Sequence, residues 1–238
     1  MSAKILSALT PIQKEQIYAL HPSFPLDDAD LFAIYETDGK IRSAAVFLTE
    51  DDTTCECFAC TDPSFRRQGM FSELLDLSID ELPEDTELIF YTNGTDADCM
   101  ATLDALEAEL ILEEHMMELD LASFDVSSFA ETSASNPSPV TVKEDVLDHT
   151  LTRCYESSCG VVNISVFSSY YYLYGFEIKE ALRGQGYGKQ FLFQVLTDLI
   201  RQNPMPLRLQ VSGENAPALS LYKKTGFQIT ETLFGYLY

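Results

Sequence analysis

Hydrophobic positions along the chain follow two spacings, one typical of short strands and the other of amphipathic helices. A helix is predicted at Pro11–Leu20, because Thr10 can cap its N-terminus and proline suits the first helical position. A second helix is predicted after Gly69 and ends before Pro83, and the dipeptide Asp38-Gly39 predicts a hairpin. The pattern also predicts a helix at Ala97–Glu109 and strands at Asp30–Thr37, Ile41–Thr49, Thr53–Thr61, Leu88–Thr92 and Leu110–Leu121.

A similar order of elements begins again after residue 139. It predicts strands at Gly160–Ser168, Tyr170–Lys179, Leu207–Val211 and Phe227–Tyr238, and helices at Lys189–Arg201 and Ala216–Thr225. At an offset of 117 residues Arg66 coincides with Arg183 and Gly69 with Gly186, which indicates an internal duplication. We therefore predict two domains, at residues 1–122 and 140–238, the second without the opening helix of the first. Residues 123–139 contain six serines and two prolines without periodicity, and are interpreted as a linker.

Acidic residues dominate the charge and lie mostly in the first copy. The net charge is −23, of which residues 1–122 carry −21 and residues 123–238 carry −2. Such a surface would repel phosphates, so nucleic acid is excluded as a partner. The charge is best interpreted as a solubilising surface, with attraction of a cationic partner as the alternative. The chain has no apolar run long enough for a membrane span and no signal-peptide pattern at its start, and we expect a cytoplasmic protein without membrane partners.

Six cysteines raise the question of a metal site. Cys55, Cys57 and Cys60 are closely spaced, and a fourth ligand would have to come from Cys99 or His115, at no recognised zinc spacing. The segment around them alternates like a strand, so packed thiols are the favoured interpretation. Without an export signal we expect these thiols to be reduced, and we predict no metal.

A glycine-rich segment, Arg183-Gly184-Gln185-Gly186-Tyr187-Gly188, follows a predicted strand and opens a predicted helix. The N–H groups and the positive dipole end of a helix N-terminus suit a pyrophosphate. Glycine lets phosphates approach the backbone closely, because it has no Cβ atom. The spacing matches neither the Rossmann fingerprint nor the P-loop.

These residues resemble the Arg/Gln-x-x-Gly-x-Gly/Ala motif of the GCN5-related N-acetyltransferases, the GNAT superfamily. The later segment Glu214-Asn215-x-x-Ala218-x-x-Leu221-Tyr222-Lys223-Lys224-x-Gly226-Phe227 resembles that family's second signature. The resemblance covers the second copy well, and it reaches the first copy through Arg66-x-x-Gly69-x-Phe71. It implies an α+β fold in each copy, a mixed and mostly antiparallel sheet flanked by helices.

The resemblance also implies roles for individual residues. Tyr222 would be the general acid that protonates the departing CoA thiolate. Glu177 is the candidate base, with a simply solvated carboxylate as the alternative. Backbone amides of the glycine turn would hold the pyrophosphate of acetyl-CoA, and the edge of strand Phe176–Lys179 would pair with the pantetheine arm. The implied cofactor-binding residues are Ile178, Arg183, Gln185, Gly186, Tyr187, Gly188, Lys189 and Asn215.

The first copy departs from the motif. Phe71 stands where the last glycine is expected, and at the offset of 117 Tyr222 falls on Ala105 and Asn215 on Asp98. The first copy therefore lacks the acid, and we predict that it binds CoA weakly or not at all.

The function that follows is transfer of an acetyl group from acetyl-CoA to a primary amine by direct attack. The acceptor would be a small-molecule amine or a peptide amine, and a cationic one would suit the acidic protein. The alternative is a CoA-binding regulatory module without catalysis, whose acidic first half serves as an interaction domain. The sequence does not predict an oligomeric state.

Overall fold

The computed structural model describes residues 2–51, 53–126, 139–147 and 149–238. The chain has a mixed α+β fold, with five α-helices and twelve strands in these residues. The chain divides into two compact units. The N-terminal unit contains the chain up to Leu112 together with Phe234–Tyr238, and the C-terminal unit contains Glu113–Leu233. Residues 127–138 of the predicted linker lie outside the described residues.

The elements follow the predicted order with several additions. The N-terminal unit contains β1 (Ser2–Leu6), α1 (Pro11–Leu20), β2 (Leu31–Thr37), β3 (Lys40–Thr49), β4 (Thr54–Thr61), α2 (Met70–Ile79), β5 (Glu87–Thr92) and α3 (Ala97–Ala105). The C-terminal unit contains β7 (Thr141–Leu147), β8 (Thr150–Glu156), β9 (Gly160–Val166), β10 (Tyr171–Ile178), α4 (Tyr187–Gln202), β11 (Leu207–Ser212) and α5 (Ala216–Thr225). Two further strands, β6 (Glu109–Leu119) and β12 (Gln228–Leu237), contribute residues to both units.

Local sequence signals explain the first helix and hairpin. Thr10 and Gln13 form a reciprocal capping box at the start of α1, which confirms the predicted N-terminus. Asp38 and Gly39 both have positive φ, 53° and 72°, as a tight turn between β2 and β3 requires. The predicted third helix ends earlier than expected, at Ala105, because Glu107 adopts a left-handed conformation with φ 56°.

The sheet of the N-terminal unit has the strand order β1-β2-β3-β4-β5, and β4 and β5 are parallel. Val46 and Phe47 are neighbours on β3 and point to opposite faces. Val46 lies in a cluster with Ile17 of α1, and Phe47 lies in a second cluster with Leu74 of α2. The two helices therefore cover opposite faces of this sheet.

The sheet of the C-terminal unit has the order β6-β11-β10-β9-β8-β7, with β10 and β11 parallel. Its core places apolar residues of α4 and α5, such as Phe191 and Leu219, with Tyr171, Leu173 and Leu209 of the strands. Across 139–147 and 149–186 the structure contains no α-helix, and the hairpin β7–β8 occupies this part of the chain.

The last strand of each predicted copy is divided between the two compact units. Phe234–Leu237 of β12 pair antiparallel with Ile89–Thr92 of β5 in the N-terminal unit. In the C-terminal unit, Glu114–Leu119 of β6 pair antiparallel with Leu207–Ser212 of β11. The compact units are therefore divided at other residues than the domains predicted at 1–122 and 140–238.

The cysteines pack inside the fold. All six are free thiols, and Cys55 and Cys57 share the cluster that faces α2. Burial raises the pKa of Cys55 to about 11. His115 contacts Thr232, with Nδ1 2.9 Å from Oγ1. Within the described residues, no group of three or more His, Cys, Asp or Glu side chains is arranged to hold a metal ion. No helix in the described part of the chain has the length and apolar character needed to cross a membrane.

Candidate active site

The parallel strands of the C-terminal unit separate at one end. Their ladder contains only the pairs from Tyr171–Leu207 to Leu173–Leu209. Beyond these pairs β10 continues to Ile178 and β11 to Ser212, each without the other as its partner. The opening exposes one backbone edge of β10, and a strand edge of this kind can pair with an extended ligand.

A bulge lies in β10 where the opening begins. The register of β10 against β9 shifts between Tyr174 and Glu177, and Gly175 adopts φ 60°. On the β9 side the two strands approach closely, because a Cβ atom added to Gly160 would lie 2.1 Å from the carbonyl oxygen of Glu177. Glycine at position 160 therefore allows β9 to follow the bulged strand.

The glycine turn after β10 leads directly into α4. Gly184 and Gly186 have φ 73° and 86°, and Gly186 is the N-cap residue without a side-chain capping bond. The first N–H groups of a helix have no partner within the helix, so an uncapped start of this kind favours an anion. A Cβ atom added at Gly184 or Gly186 would meet nothing within 4 Å among the described residues. The turn thus leaves open space beside the helix N-terminus.

Arg183 and Gln185 hold the turn in place. Nε of Arg183 donates to the carbonyl of Ile178 at 2.8 Å, and Nε2 of Gln185 donates to the carbonyl of Ala181 at 2.8 Å. The guanidinium of Arg183 also lies 3.8 Å from the carboxylate of Glu177, and both side chains are exposed. The arginine therefore fixes the end of β10 to the turn and leaves most of its charge in solvent.

Gly188 faces Ile178 and Leu221 at ordinary packing distance. An added Cβ atom would lie 3.4 Å from Ile178 and 3.7 Å from Leu221. Tyr187 and Ile178 are half-buried and pack against the core cluster. Lys189 belongs to the first turn of α4.

Tyr222 lies inside the C-terminal unit on α5. Its side chain is almost completely buried, with its ring 5.5 Å from that of Phe227 and 6.4 Å from that of Phe176. Burial raises the pKa of Tyr222 to about 12. The phenol is therefore protonated at every physiological pH, and Phe176 connects it to the open segment of β10.

Asn215 and Glu177 each have a local partner in the C-terminal unit. Oδ1 of Asn215 accepts the N–H of Ala218 at 3.2 Å and so caps α5. The side chain of Glu177 is 69% exposed and has Arg183 as its ionic neighbour. The structure thus places Glu177 at the bulge as a solvated carboxylate.

The N-terminal unit contains the same turn in a different setting. Gly69 is the N-cap of α2 with φ 80°, and Nε of Arg66 donates to the carbonyl of Thr61 at 3.4 Å, as Arg183 does to Ile178. Here, however, Arg66 and Arg67 form ion pairs with Asp98, with 3.1 Å between Arg66 and the carboxylate. The register of β4 against β3 is continuous, so this copy has no bulge at its opening.

The structural equivalence of the last helices corrects the fixed offset. The N-caps of α3 and α5 are Asp96 and Asn215, which are 119 residues apart. The residue equivalent to Tyr222 is therefore Leu103, which is buried, rather than Ala105. The conclusion that the first copy has no phenol at this position is unchanged.

A polar network on the other face of the C-terminal unit was not predicted. It joins Tyr172 of β10, Gln210 of β11 and Glu114 of β6. The alternation of polar and apolar residues on these strands indicates that all three face away from the core, but their proximity depends on the non-local pairing of β6 with β11. A cavity of about 570 Å³ lies elsewhere, at the end of α5 near Lys223, Lys224 and Asp120.

Comparisons with known proteins agree with this geometry. Residues 116–227 match the model of the acetyltransferase (GNAT) family, whose members use acyl-CoA as co-substrate. No curated protein matches the chain in sequence.

Solved structures show the same fold at low identity. A tandem GNAT protein from the clavulanic acid biosynthesis pathway has a TM-score of 0.58 at 13% identity, covering 100% of this chain and 98% of that chain. A GCN5-related N-acetyltransferase from Sphaerobacter thermophilus has a TM-score of 0.56 at 11% identity, covering 94% of this chain and 84% of the other. A GCN5-related N-acetyltransferase from Anabaena variabilis has a TM-score of 0.53 at 11% identity, covering 99% of this chain and 72% of the other.

Proposed function

We propose that the C-terminal unit transfers an acetyl group from acetyl-CoA to a primary amine by direct attack. The observation that carries the proposal is the continuous path from the bulged, open edge of β10 through the glycine turn to the uncapped start of α4. An extended arm ending in a pyrophosphate fits such a path, because the strand edge can pair with amides and the helix start can hold phosphates.

Each residue of the turn has a part in this proposal. Backbone amides of Gln185, Gly186, Gly188 and Lys189 hold the pyrophosphate, and Tyr187 lies between them at the first helical position. The edge of β10 at Ile178 pairs with the pantetheine arm. Arg183 positions the turn through its bond to the Ile178 carbonyl, and its exposed charge attracts phosphate. Asn215 offers the arm its amide nitrogen.

Tyr222 is the proton donor for the departing CoA thiolate. The nitrogen of a neutral amine bonds to the thioester carbonyl carbon, the carbon–sulfur bond breaks, and Tyr222 donates its proton to the departing sulfur. A phenol with a pKa of about 12 is a weaker acid than a thiol, whose ordinary pKa is about 8.5. Transfer of the phenol's proton to the sulfur is therefore unfavourable by itself. It is completed when the phenolate takes up the proton that the attacking nitrogen releases. Glu177, or water at the bulge, accepts the proton that the amine loses before attack.

The test is thiol release from acetyl-CoA with a panel of amines, together with calorimetry of CoA binding. Tyr222→Phe should lower kcat by about 100-fold and leave the Kd for CoA within about twofold, because the ring packing is kept. Tyr171→Phe, at a second buried tyrosine of the same unit, should keep kcat near the original value. No thiol release with any amine and no CoA binding would refute the proposal, and equal losses of turnover and affinity in Tyr222→Phe would refute the role of the phenol.

We further propose that the chain is a tandem form in which only the second copy binds CoA. The matching turns at Gly69 and Gly186 support the duplication. Asp98, ion-paired with Arg66 and Arg67, places a carboxylate beside the first turn, which disfavours a phosphate there. Calorimetry should give one CoA per chain, and a stoichiometry of two would contradict this assignment.

A CoA-binding regulatory module remains the second candidate, because the N-terminal unit keeps the turn although Leu103 replaces the phenol. Tight CoA binding without thiol release would favour it. In that case the acidic N-terminal half would serve as the interaction domain, and salt-sensitive association with a cationic protein would support this role.

A further inference from the structure

Three neighbouring strands of the C-terminal unit carry a connected polar network on the face opposite α4 and α5. Tyr172 alternates with the buried residues Tyr171 and Leu173, so its side chain points away from the helices. Gln210 on β11 lies between the buried Leu209 and Val211, and Glu114 on β6 precedes the buried His115. The hydroxyl of Tyr172 donates to Oε1 of Gln210 at 3.5 Å, and Nε2 of Gln210 donates to the carboxylate of Glu114.

The network lies where β10 and β11 separate. Tyr172 pairs with Arg208 in the short parallel ladder, and Gln210 is the first residue of β11 beyond that ladder. In the proposed function the cofactor arm enters this opening along β10. The network therefore borders the opening from the sheet face opposite α4 and α5.

The charge of Glu114 is not neutralised by a neighbouring cation. In the described ranges Glu114 forms no ion pair with lysine or arginine, and its hydrogen-bond donor, Gln210, is neutral. Glu118 lies four residues further along the same face of β6 and contrasts with it, because Arg208 donates to its carboxylate at 2.7 Å. The guanidinium of Arg208 is also placed over the ring of Tyr170, 4.6 Å from its centre. Arg208 is thus committed to Glu118 and Tyr170 and is not an ion-pair partner of Glu114.

Aromatic rings lie on the β10 side of this carboxylate. The rings of Tyr172 and Tyr174 are stacked with 6.5 Å between their centres. The faces of such rings attract cations, and a half-buried carboxylate held by a neutral donor does so more strongly. Burial and the nearby charge of Glu114 raise the pKa of Tyr172, so the phenol stays neutral beside the carboxylate.

We propose that Glu114, oriented by Gln210 and flanked by Tyr172, binds a second positive charge on the acceptor. The proposal rests on the proposed acetyl transfer and assigns the class of its acceptor. The attacking nitrogen must be neutral when it reacts, so it cannot provide lasting charge recognition. A second ammonium or guanidinium group keeps its charge throughout the reaction. The acceptor therefore carries a primary amine and, at a distance from it, a second group that is positively charged at neutral pH.

The experiment compares amines that differ only in the second charge. Thiol release from acetyl-CoA is measured with 1,5-diaminopentane against 1-aminopentane, and with 1,4-diaminobutane against 1-aminobutane. We expect kcat/KM to be about tenfold higher for each diamine than for its monoamine. Glu114→Gln should remove that advantage by raising KM for the diamines, and should leave kcat/KM for the monoamines unchanged.

Glu156→Gln is the matched control, because it removes the same charge from β8, where Glu156 is paired with Lys143. It should retain the preference for diamines. Gln210→Met is a second variant, which keeps the carboxylate and removes the hydrogen bond that orients it. It should lose part of the preference, so the inference can be judged even if Glu114→Gln does not fold.

The outcomes separate the two proposals. Equal kcat/KM for monoamines and diamines, or a diamine preference that survives both Glu114→Gln and Gln210→Met, would overturn the acceptor assignment and leave acetyl transfer standing. Absence of thiol release with every amine would overturn acetyl transfer and the acceptor assignment together. Loss of activity toward both classes in a folded Glu114→Gln variant would mean that the carboxylate supports the chemistry itself, and the acceptor assignment would again be wrong.

Discussion

Replacement of Gly186 by alanine allows an effect on folding stability to be separated from an effect on CoA affinity. The φ of Gly186, 86°, lies in the left-handed region, and an alanine there costs about 1–2 kcal/mol. An added Cβ atom meets no described atom within 4 Å, so backbone strain is the whole penalty in the free protein. Gly69 has the same environment in the N-terminal unit, with φ 80° and equally open space.

The two alanine variants should therefore have similar stability and different affinity for CoA. A loss of about 1–2 kcal/mol lowers the Tm of a chain of this size by roughly 2–8 °C, and both variants should show it. In Gly186→Ala the new methyl group projects beside the helix start that is proposed to bind phosphate. We expect its Kd for CoA to rise at least tenfold, or about 1.4 kcal/mol, whereas Gly69→Ala should bind CoA like the original protein.

Calorimetry of CoA binding and thermal unfolding followed by circular dichroism provide the two measurements. Unchanged CoA affinity in Gly186→Ala would refute the assignment of the pyrophosphate to this turn. Weakened CoA binding in Gly69→Ala would show that the first copy contributes to cofactor binding. A Tm loss in only one variant would contradict the view that strain alone sets the penalty.

Three further predictions concern residues around the site. Folding favours the protonated form of Tyr222, because burial raises its pKa to about 12. Its contribution to the free energy of unfolding is therefore complete below pH 10 and is lost as the pH rises toward 12. Relative to Tyr222→Phe, the original protein should lose about 2–3 kcal/mol of stability over that range. Gly160→Ala should lower stability by about 1–3 kcal/mol and weaken CoA binding, because its methyl group displaces the Glu177 carbonyl. Hydrogen bonds from Arg67 and Arg66 lower the pKa of Asp98, so Asp98→Asn should lower the Tm at pH 7, and this difference should shrink as the pH falls below the ordinary pKa of an aspartate and Asp98 becomes protonated in the folded protein.

Thermal unfolding across pH tests the first and third of these, and thermal unfolding with calorimetry tests the second. Parallel alkaline losses in Tyr222→Phe and the original protein would show that Tyr222 does not titrate with a raised pKa. Gly160→Ala with full stability would mean that β9 can move away from the bulge at little cost. A constant effect of Asp98→Asn at all pH values would exclude the ion pairs as its cause.

Local signals in the sequence predicted much of the secondary structure. The ends of α1 and α5 follow directly from Thr10, Pro11 and Gly226, whose side chains or conformations act on adjacent backbone groups. Strands β1, β7 and β8 were not predicted. β1 is only five residues long, and β7 has the charged run Lys143–Asp145 at its centre, so neither has a clear hydrophobic alternation.

The shape of the candidate site depended on contacts that no local pattern contains. A single glycine in a strand, such as Gly175, is compatible with a bulge or a regular position, and only the pairing with β9 decides between them. The opening of β10 from β11 and the approach of Glu114 to Gln210 also depend on strands distant in sequence. The correction from Ala105 to Leu103 arises because the offset between the copies changes from 117 to 119 within the repeat.

The antiparallel pairing of Thr92 with Phe234 has a consequence for synthesis on the ribosome. The partner of β5 is made about 140 residues later, which takes on the order of ten seconds at usual translation rates. Through that interval the nascent N-terminal unit has an unsatisfied strand edge that can capture other extended chains. The dense negative charge of residues 1–122 then acts as kinetic protection, because it keeps neighbouring nascent chains apart until the last strand arrives.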